Sequence, residues 1–438
     1  MNIAKAFCVL AATSFAAFAE ISVTGVSLFD DGNGEATVTY TLSGAPAVVT
    51  LDIETDDLGA WETIGGAHVR NVSEDAPVFR VVETDGTYSF KWRAGLDWPG
   101  NSVADGVRAK ITAWPLTDTP AYMVVDISSN ATPQTVRRYY PSVEFLPGGL
   151  LENPDYRTSK LVMRKIPAKN VTWIMGSDPD VEKNVGRGVN EEMHTVRLDH
   201  NYYAGVFEVT QAQFALVTLG MAPSYFNSEA YKALRPVEKV SWAMARTCDV
   251  SANTLVAAYF PPNDPNPDSF LGRLREKTGL DFDLPTEAEW EFACRAGNGS
   301  GKSGDGTALN ATYLPGRYSG KGGFPKVGDE NYGNTATNTW TASNGTAECG
   351  SFAPNSWGLY DMQGNVVEWC QDYYIVDITG LGGAANLESE DFGAVRVCRG
   401  GAWDMGFSNV RPAQRDLSNP VSNTWRRGIR VFCRAGLE

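Results

Sequence analysis

Short alternating runs fill the first hundred residues after position 20, and this pattern restricts that part of the chain to a β-sheet fold. Seven runs between Ile21 and Ser128 have period-two alternation or are rich in β-branched residues. Pieces rich in turn-forming residues, such as DDGNGE and LDWPGNS, separate them. The runs are ISVTGVSLF, EATVTYTLS, AVVTLDIET, PVFRVVE, TYSFKWRA, VRAKITAW and YMVVDIS. Seven short strands predict a β-sandwich of the immunoglobulin or fibronectin type III kind over residues 20–128.

The predicted sandwich contains no cysteine, so no inter-sheet disulfide marks it as a true immunoglobulin domain. Its residues form no recognisable site, which favours an accessory or spacer domain, and a ligand-binding role is the alternative.

From 129 to 157 the alternation gives way to proline, glycine and polar residues. We place a linker there.

The first nineteen residues have the composition of a secretory signal peptide. Lys5 precedes an apolar run, and Ala17, Phe18 and Ala19 form an A-x-A cleavage site before Glu20. The run is too short to span a bilayer, and no later stretch predicts a transmembrane segment. We therefore expect an exported protein, located in the periplasm, at the cell surface or outside the cell.

Charge and cysteine content narrow the possible partners and compartments. The formal net charge is −15 and the sequence has no basic stripe, which argues against nucleic acid as a partner. Once Cys8 leaves with the signal peptide, an even number of cysteines remains in an oxidising compartment, which predicts disulfides. The remaining cysteines are Cys248, Cys294, Cys349, Cys370, Cys398 and Cys433. A free reactive thiol is the alternative.

Residues 158–438 combine strand-like runs with short helices, which predicts an α+β domain. Two helix starts are marked by capping boxes, one formed by Thr210 and Gln213 and the other by Thr286 and Glu289. Gly297 is expected to end the second helix. The chain's 44 glycines, 23 prolines and 12 tryptophans agree with a loop-rich fold that large aromatic side chains hold together.

Seven segments of this second region occur in the order typical of one enzyme family. They are MGS at Met175, HTVRLDHNYYAGVFEVTQAQF at His194, RPVEKVSW at Arg235, LPTEAEWEFACRAG at Leu284, NSWGLYDMQGNVVEW at Asn355, RGGAW at Arg399 and RGIRVF at Arg427. They resemble the formylglycine-generating enzyme family, also called the sulfatase-modifying-factor family, over about Leu161 to Glu438. The resemblance implies a variant of the C-type lectin fold with little regular secondary structure.

In the enzymes of that family, two cysteines shortly after the GG pair bind copper and activate oxygen to convert a sulfatase cysteine into formylglycine. Copper(I) needs soft thiolate ligands. Here the segment reads GGAWDMGFSNVRPAQRD, with Met405 near the first cysteine position and Val410 near the second. Cys398 precedes the GG pair and replaces neither. We therefore expect no copper, no catalytic residues of the family type and no formylglycine-generating activity.

The resemblance also implies a calcium loop. Its ligands would be Asp361, Gly364, Val366 and Glu368. Carboxylates at both ends and backbone carbonyls between them would wrap one ion, because hard oxygen ligands in a tight glycine-containing turn suit Ca2+. The alternative is that Glu368 hydrogen-bonds backbone amides beside a buried Trp369. A second calcium site of the family would use Asn331 and Tyr332, but its acidic ligand falls in a region with Thr341 and Ser343.

By the same resemblance, Cys294 pairs with Cys433, and we take Cys370 and Cys398 as a second pair. Arg415 and Arg430 match core arginines of the family and are expected to be buried partners of carboxylates or carbonyls. The side chains expected to face a pocket are Trp403, Arg411, Trp425 and Arg427.

Two classes of function follow. In the first, the chain is an exported non-catalytic protein that binds a protein or carbohydrate on its lectin-like domain, with the sandwich as a spacer. In the second, it is an oxidoreductase of the formylglycine-generating enzyme family with a divergent site.

Overall fold

The computed structural model describes residues 20–435 except for the gaps 105, 130–135, 183–185, 228–231, 248–263, 305, 310–315, 317, 319–344 and 376–394. The predicted signal peptide, Cys248, Asn331 and Tyr332 lie outside the described residues. Among the residues that the structure describes, no helix is long and apolar enough to cross a membrane.

Two antiparallel sheets form the N-terminal sandwich, as the alternation predicts. Its elements are β1 (Ser22–Gly32), β2 (Glu35–Ser43), β3 (Ala47–Asp57), β4 (Ala60–Thr63), β5 (Arg80–Val82), β6 (Gly86–Trp92), α1 (Ala94–Asp97) and β7 (Val107–Pro115). One sheet has the order β1-β2-β6, and in the other β3 pairs with β4, β5 and β7. Along β2, Ala36, Val38, Tyr40 and Leu42 are all fully buried while the residues between them are not, so the period-two pattern is confirmed.

The second region mixes strands with short helices, which confirms the α+β class. The strands are β8 (Tyr122–Asp126), β9 (Arg137–Tyr140), β10 (Lys160–Ile166), β11 (Val171–Met175), β12 (His194–Leu198), β13 (Tyr202–Gly205), β14 (Phe282–Asp283), β15 (Val367–Tyr373), β16 (Arg396–Arg399), β17 (Asp416–Ser418), β18 (Arg427–Gly428) and β19 (Phe432–Arg434). The helices are α2 (Pro179–Glu182), α3 (Gln211–Val217), α4 (Trp242–Arg246), α5 (Phe270–Thr278) and α6 (Glu287–Arg295). The main sheets have the orders β14-β19-β13-β10-β8-β9 and β17-β16-β15-β18.

The structure corrects the predicted boundary between the two regions. The seventh run, which contains β8, pairs with β10 and β9 rather than with the sandwich, and Val125 lies opposite Leu161. Residues 137–140 of the predicted linker form β9. Because β8 is buried on both faces, its continuous apolar run carries no sign of which sheet it joins.

Both predicted capping boxes are confirmed. The hydroxyl of Thr210 accepts from the Gln213 amide at 3.2 Å, and that of Thr286 accepts from the Glu289 amide at 3.3 Å. The helix α6 ends at Arg295, and the first left-handed residue after it is Ala296, with φ 48°, followed by Gly297.

Buried ion pairs join α6 to the C-terminal strands. Arg415 donates to Glu287 at 2.6 Å, and Arg399 donates to Glu291. All four side chains are at least nine-tenths buried. The prediction that Arg415 is a buried partner of a carboxylate is therefore confirmed, and paired burial of this kind avoids the cost of a lone internal charge.

The sandwich packs directly on the six-stranded sheet through aromatic side chains. The rings of Phe79 and Tyr140 stack at 5.1 Å, and the Tyr139 amide donates to the Phe79 carbonyl at 2.7 Å. Gly66 lies so close to Phe145 that a Cβ built on it would be 2.4 Å from that ring. This contact requires a residue without a side chain.

We expect Gly66→Ala to lower the free energy of unfolding by about 1–3 kcal/mol, because the added methyl forces Phe145 out of its packed position. Urea denaturation followed by tryptophan fluorescence measures this change. The control is Gly299→Ala, whose Cβ would meet no atom within 4 Å. Equal denaturation midpoints for the two variants would show that the contact is not close.

Candidate functional site

An open cavity of about 420 Å³ lies where β15 and β18 run side by side. Its lining residues are Val367, Met405, Asp416, Thr424, Trp425, Arg426 and Arg427. Val367 and Arg427 are register partners on the parallel strands β15 and β18, and Asp416 begins β17. The four-stranded sheet therefore fixes one wall, and the connection before β18 supplies the other. The volume is in the range of small-ligand sites.

Exposed aromatic rings border this cavity. Trp425 is 44% exposed and Tyr225 is 43% exposed, and their ring centroids are 6.3 Å apart. Tyr225 packs edge-on against Phe226, which in turn packs edge-on against the buried Trp403. A continuous aromatic row thus connects the cavity rim to the core. Exposed aromatic rings of this kind are enriched at binding interfaces.

Charges of both signs line the cavity. Arg426 donates to the Asp404 carboxylate at 2.9 and 2.7 Å, which largely neutralises both groups. Arg427 donates to Thr424 Oγ1 at 2.9 Å, while its buried Nε finds no hydrogen-bond acceptor among the residues that the structure describes. Asp416 adds a carboxylate. The cavity can therefore offer both a donor and an acceptor to a ligand.

The two positions that resemblance aligns with the copper cysteines differ in their surroundings. Met405 lines the large cavity and also a second one of about 60 Å³, which Cys398 borders. Val410 is fully buried and packs with Tyr318. Burial raises the pKa of the Cys398 thiol, so this sulfur stays protonated. Neither position supplies a thiolate.

The structure places two of the four side chains that were expected to face a pocket at the large cavity. Trp425 and Arg427 line the large cavity. Trp403 is only 4% exposed and belongs to the core. Arg411 is fully buried and donates to Glu191 at 2.6 Å and Glu182 at 3.0 Å, so its guanidinium is used inside the fold. The sequence could not show this because the two glutamates lie more than 200 positions earlier.

The predicted calcium loop forms a tight turn. Asp361, Gly364 and Asn365 have φ values of 57°, 101° and 62°. One oxygen of Asp361 accepts from the Gly350 amide at 2.7 Å, whereas the buried Oδ1 has no hydrogen-bond partner in the described part of the chain. Burial raises the pKa of Asp361 to about 6. A buried carboxylate oxygen without a hydrogen-bond donor is stabilised by a bound cation or by protonation.

Glu368, at the other end of the loop, is already engaged. Its Oε1 accepts from Arg430 at 2.7 Å, and its Oε2 accepts from Trp290 Nε1 at 2.6 Å. The prediction that Arg430 is a buried partner is confirmed. Arg430 Nε also donates to both oxygens, at 3.0 and 3.1 Å, so the two lone pairs of each Glu368 oxygen are already used.

A third buried carboxylate, Glu208, was missed by sequence reasoning. It accepts from Asn365 Nδ2 at 2.7 Å and from the Val366 amide at 3.1 Å. Burial and then the neighbouring charges of Asp361 and Glu368 raise its pKa well above the usual range. Glu208 lies in the segment FEVT, 157 positions before Asn365, and no spacing rule connects the two.

These carboxylates fit a hard cation in part. In the described part of the chain, neither Glu208 nor Asp361 forms an ion pair, and burial raises the pKa of both carboxyls, which shifts each of them toward its neutral form. The described residues contain no cluster of three or more His, Cys, Asp or Glu arranged to hold a metal. A calcium ion here would therefore depend on backbone carbonyls such as those of Gly364 and Val366 as well as on Asp361.

The structure corrects both predicted disulfides. Cys294, Cys349, Cys370, Cys398 and Cys433 are buried free thiols. Trp369 on β15 lies opposite Cys398 on β16, so the next residue, Cys370, faces the other side of the sheet. Cys433 likewise packs in one core cluster, while its neighbour Phe432 shares another with Cys294. Each predicted pair is divided by a sheet.

Sequence comparison identifies the family. Residues 158–435 match the sulfatase-modifying factor enzyme 1-like domain, which covers more than half of the chain. The chain therefore belongs to the sulfatase-modifying-factor, or formylglycine-generating enzyme, family, and the fold expected from the resemblance is confirmed.

Several characterised proteins are similar to this chain. The chaperone protein LppX of Paenibacillus barcinonensis is 29% identical over 225 residues, which cover 49% of this chain and 72% of LppX. The formylglycine-generating enzyme of Thermomonospora curvata is 32% identical over 155 residues, which cover 34% of this chain and 48% of the enzyme. The match thus spans about half the length of that enzyme.

Among solved structures, Treponema denticola variable protein 1 is 24% identical with a TM-score of 0.45, over 63% of this chain and 95% of that one. PvdO from Pseudomonas aeruginosa is 22% identical with a TM-score of 0.43, over 62% of this chain and 94% of that one.

The free thiols can be counted. We expect at least five thiols to react with Ellman's reagent after unfolding in denaturant without reductant, and little reaction before unfolding, because all five described cysteines are buried. Burial raises the pKa of Cys294 and Cys433 to about 12, which also suppresses reaction of the folded protein. A count of two thiols after unfolding would instead support the disulfides predicted from the sequence.

Proposed function

We propose that this chain is an exported protein whose sulfatase-modifying-factor domain binds an extended polypeptide segment in the cavity beside Trp425 and does not generate formylglycine. The observation that carries the proposal is the cavity itself. It has an exposed aromatic rim, a donor in Arg427 and an acceptor in Asp416, and Met405 stands where the resemblance would put a copper cysteine.

The residues at the copper positions support the absence of oxidation chemistry. A thioether at Met405 and a buried aliphatic side chain at Val410 supply no thiolate, and copper(I) chemistry of the family type depends on a thiolate pair. The thiol of Cys398 is protonated and fully buried, so it offers no substitute. Copper accordingly has no role in the proposal.

A polypeptide ligand is favoured over a carbohydrate by the cavity and by one relative. Peptide segments present amide donors, carbonyl acceptors and apolar side chains, which match Asp416, Arg427 and the ring of Trp425. The similar protein LppX is described as a chaperone, a class of protein that binds polypeptide. The N-terminal sandwich would then act as a spacer between the binding domain and the chain terminus.

We expect Trp425→Ala to weaken the binding of immobilised 15-residue peptides by about tenfold or more, because truncating a central aromatic at an interface removes a large share of the affinity. A peptide array probed with the full mature chain measures this loss. The matched control is Trp61→Ala. Trp61 is a 38% exposed tryptophan on the sandwich, under the Arg108 guanidinium, and its loss should leave peptide binding unchanged.

Three results would contradict the proposal. Equal losses for the two tryptophan variants would remove the cavity from the binding surface. Binding to a glycan array but not to peptides would identify a carbohydrate ligand instead. Oxygen uptake that requires both copper(I) and a cysteine-containing peptide would establish the oxidoreductase function.

We further propose that a structural calcium ion binds at the loop from Asp361 to Glu368. The buried Oδ1 of Asp361, which has no hydrogen-bond partner among the described residues, and the cost of ionising the buried Glu208 carboxyl support this. The carbonyls of Gly364 and Val366 would complete the ligand set. The ion would neutralise buried carboxylates and fix the turn that leads into β15.

We expect calcium to raise the melting temperature of protein treated with EDTA, because a ligand that binds only the native state stabilises it, by about 2.7 kcal/mol at one hundred times its Kd. Asp361→Ala should abolish this calcium-dependent increase. Asp372→Asn is the control, because Asp372 is another buried carboxylate on β15 that accepts from the Glu287 amide instead. Identical melting curves in EDTA and calcium for the unmodified chain would rule the ion out.

A further inference from the structure

A buried carboxyl, Glu238, lies directly beneath the segment that carries Tyr225. Its Oε1 accepts from the Phe226 amide at 2.8 Å. Ser224 Oγ accepts from the Glu238 amide at 3.1 Å and donates to the Glu238 carbonyl at 3.3 Å. Residues 224–226 are therefore held to Glu238 by three hydrogen bonds.

The same short stretch also holds the opposite rim of the cavity. The Lys239 amide donates to the Thr424 carbonyl at 3.2 Å, and the Val240 amide donates to the Arg427 carbonyl at 3.2 Å. Thr424 and Arg427 line the cavity. Lys239 has φ 59°, a left-handed conformation that is unfavourable for a residue with a Cβ. Residues 238–240 thus connect the two segments that bring Tyr225 and Trp425 together.

The Glu238 carboxyl is only half satisfied. The residue is fully buried, and its Oε2 has no hydrogen-bond partner among the described residues. Burial raises its pKa to about 7, although the amides of Phe226 and Tyr225 and the charge of Lys239 act in the opposite direction. The charges on the facing segment are engaged elsewhere, because Arg426 binds Asp404 and Arg427 binds Thr424.

We propose that Glu238 is a pH-dependent latch of the cavity, which holds Tyr225 against Trp425 as a neutral acid and releases residues 224–226 as a carboxylate. The physical reason is the unpartnered oxygen, because a negative charge on it must find water, and water reaches it when the covering segment moves away. The consequence for ligand binding rests on the proposed function of the cavity, whereas the movement of the rim does not.

The direction of the pH effect follows from the protonation of Glu238 in the folded and in the unfolded chain. A glutamate whose folded-state pKa lies above its unfolded value of 4.5 favours the protonated folded state. Its contribution to stability is complete below about pH 4.5 and is lost as the pH rises to about 7. The latch is therefore closed in mildly acidic solution and opens above neutrality.

Fluorine NMR of the full mature chain labelled with 5-fluorotryptophan tests the latch. The Trp425 resonance is identified by its loss in Trp425→Phe. We expect it to shift with a midpoint near pH 7, and Glu238→Gln, which keeps the shape of the neutral acid, should abolish the shift. Asp372→Asn is the control. Burial also raises the pKa of Asp372 to about 7, but it caps α6 and should leave the Trp425 titration unchanged.

Peptide-array binding at pH 6 and pH 8 then separates the latch from the proposed function. We expect binding about fivefold or more tighter at pH 6, and no pH difference for Glu238→Gln. A Trp425 resonance that does not titrate, or that titrates equally in Glu238→Gln, would overturn the latch. A normal titration without peptide binding at either pH would uphold the latch and overturn the polypeptide ligand.

Discussion

The buried guanidinium of Arg430 is the interaction on which the second domain most depends. It donates to Glu368 on β15, to the Gly205 carbonyl at the end of β13 and to the Tyr360 carbonyl just before the loop that begins at Asp361. One side chain therefore joins both main sheets and the loop that carries the acidic cluster. Loss of one partner from such a pair typically costs about 3–5 kcal/mol, because the other charge stays buried.

This arrangement explains why the domain tolerates so little regular secondary structure. Short strands and helices bury too few backbone contacts to hold irregular loops alone, and paired arginines and glutamates supply directional bonds where the backbone has none. Buried arginine–glutamate pairs also occur elsewhere in the core, between Arg399 and Glu291 and between Arg411 and Glu191. The cavity beside Trp425 lies next to this rigid frame, while its rim rests on Glu238, whose carboxyl pairs with no arginine in the described part of the chain.

Sequence patterns within a few positions predicted the strands and helix starts well. They did not predict contacts between side chains that lie far apart in the sequence. Alternation along β2 and the capping boxes at Thr210 and Thr286 depend on neighbours within a few positions, so the sequence contains all the necessary information. The position of Arg411 depends on residues more than 200 positions away. The disulfides failed for a related reason, because sequence spacing does not show which face of a sheet a cysteine occupies. Of the side chains expected at a pocket, Trp425 and Arg427 line the large cavity, whereas the buried Glu208 carboxyl beside Asn365 was not anticipated.

The placement of β8 and β9 has a practical consequence for dividing the chain. A truncation that begins at residue 158, where the family domain starts, would remove both strands from the edge of the six-stranded sheet. The freed edge of β10 would expose a row of unpaired backbone amides and carbonyls, which is a template for association with other chains. A fragment that keeps the six-stranded sheet whole has to begin before Tyr122, which lies well before the start of the family match at residue 158.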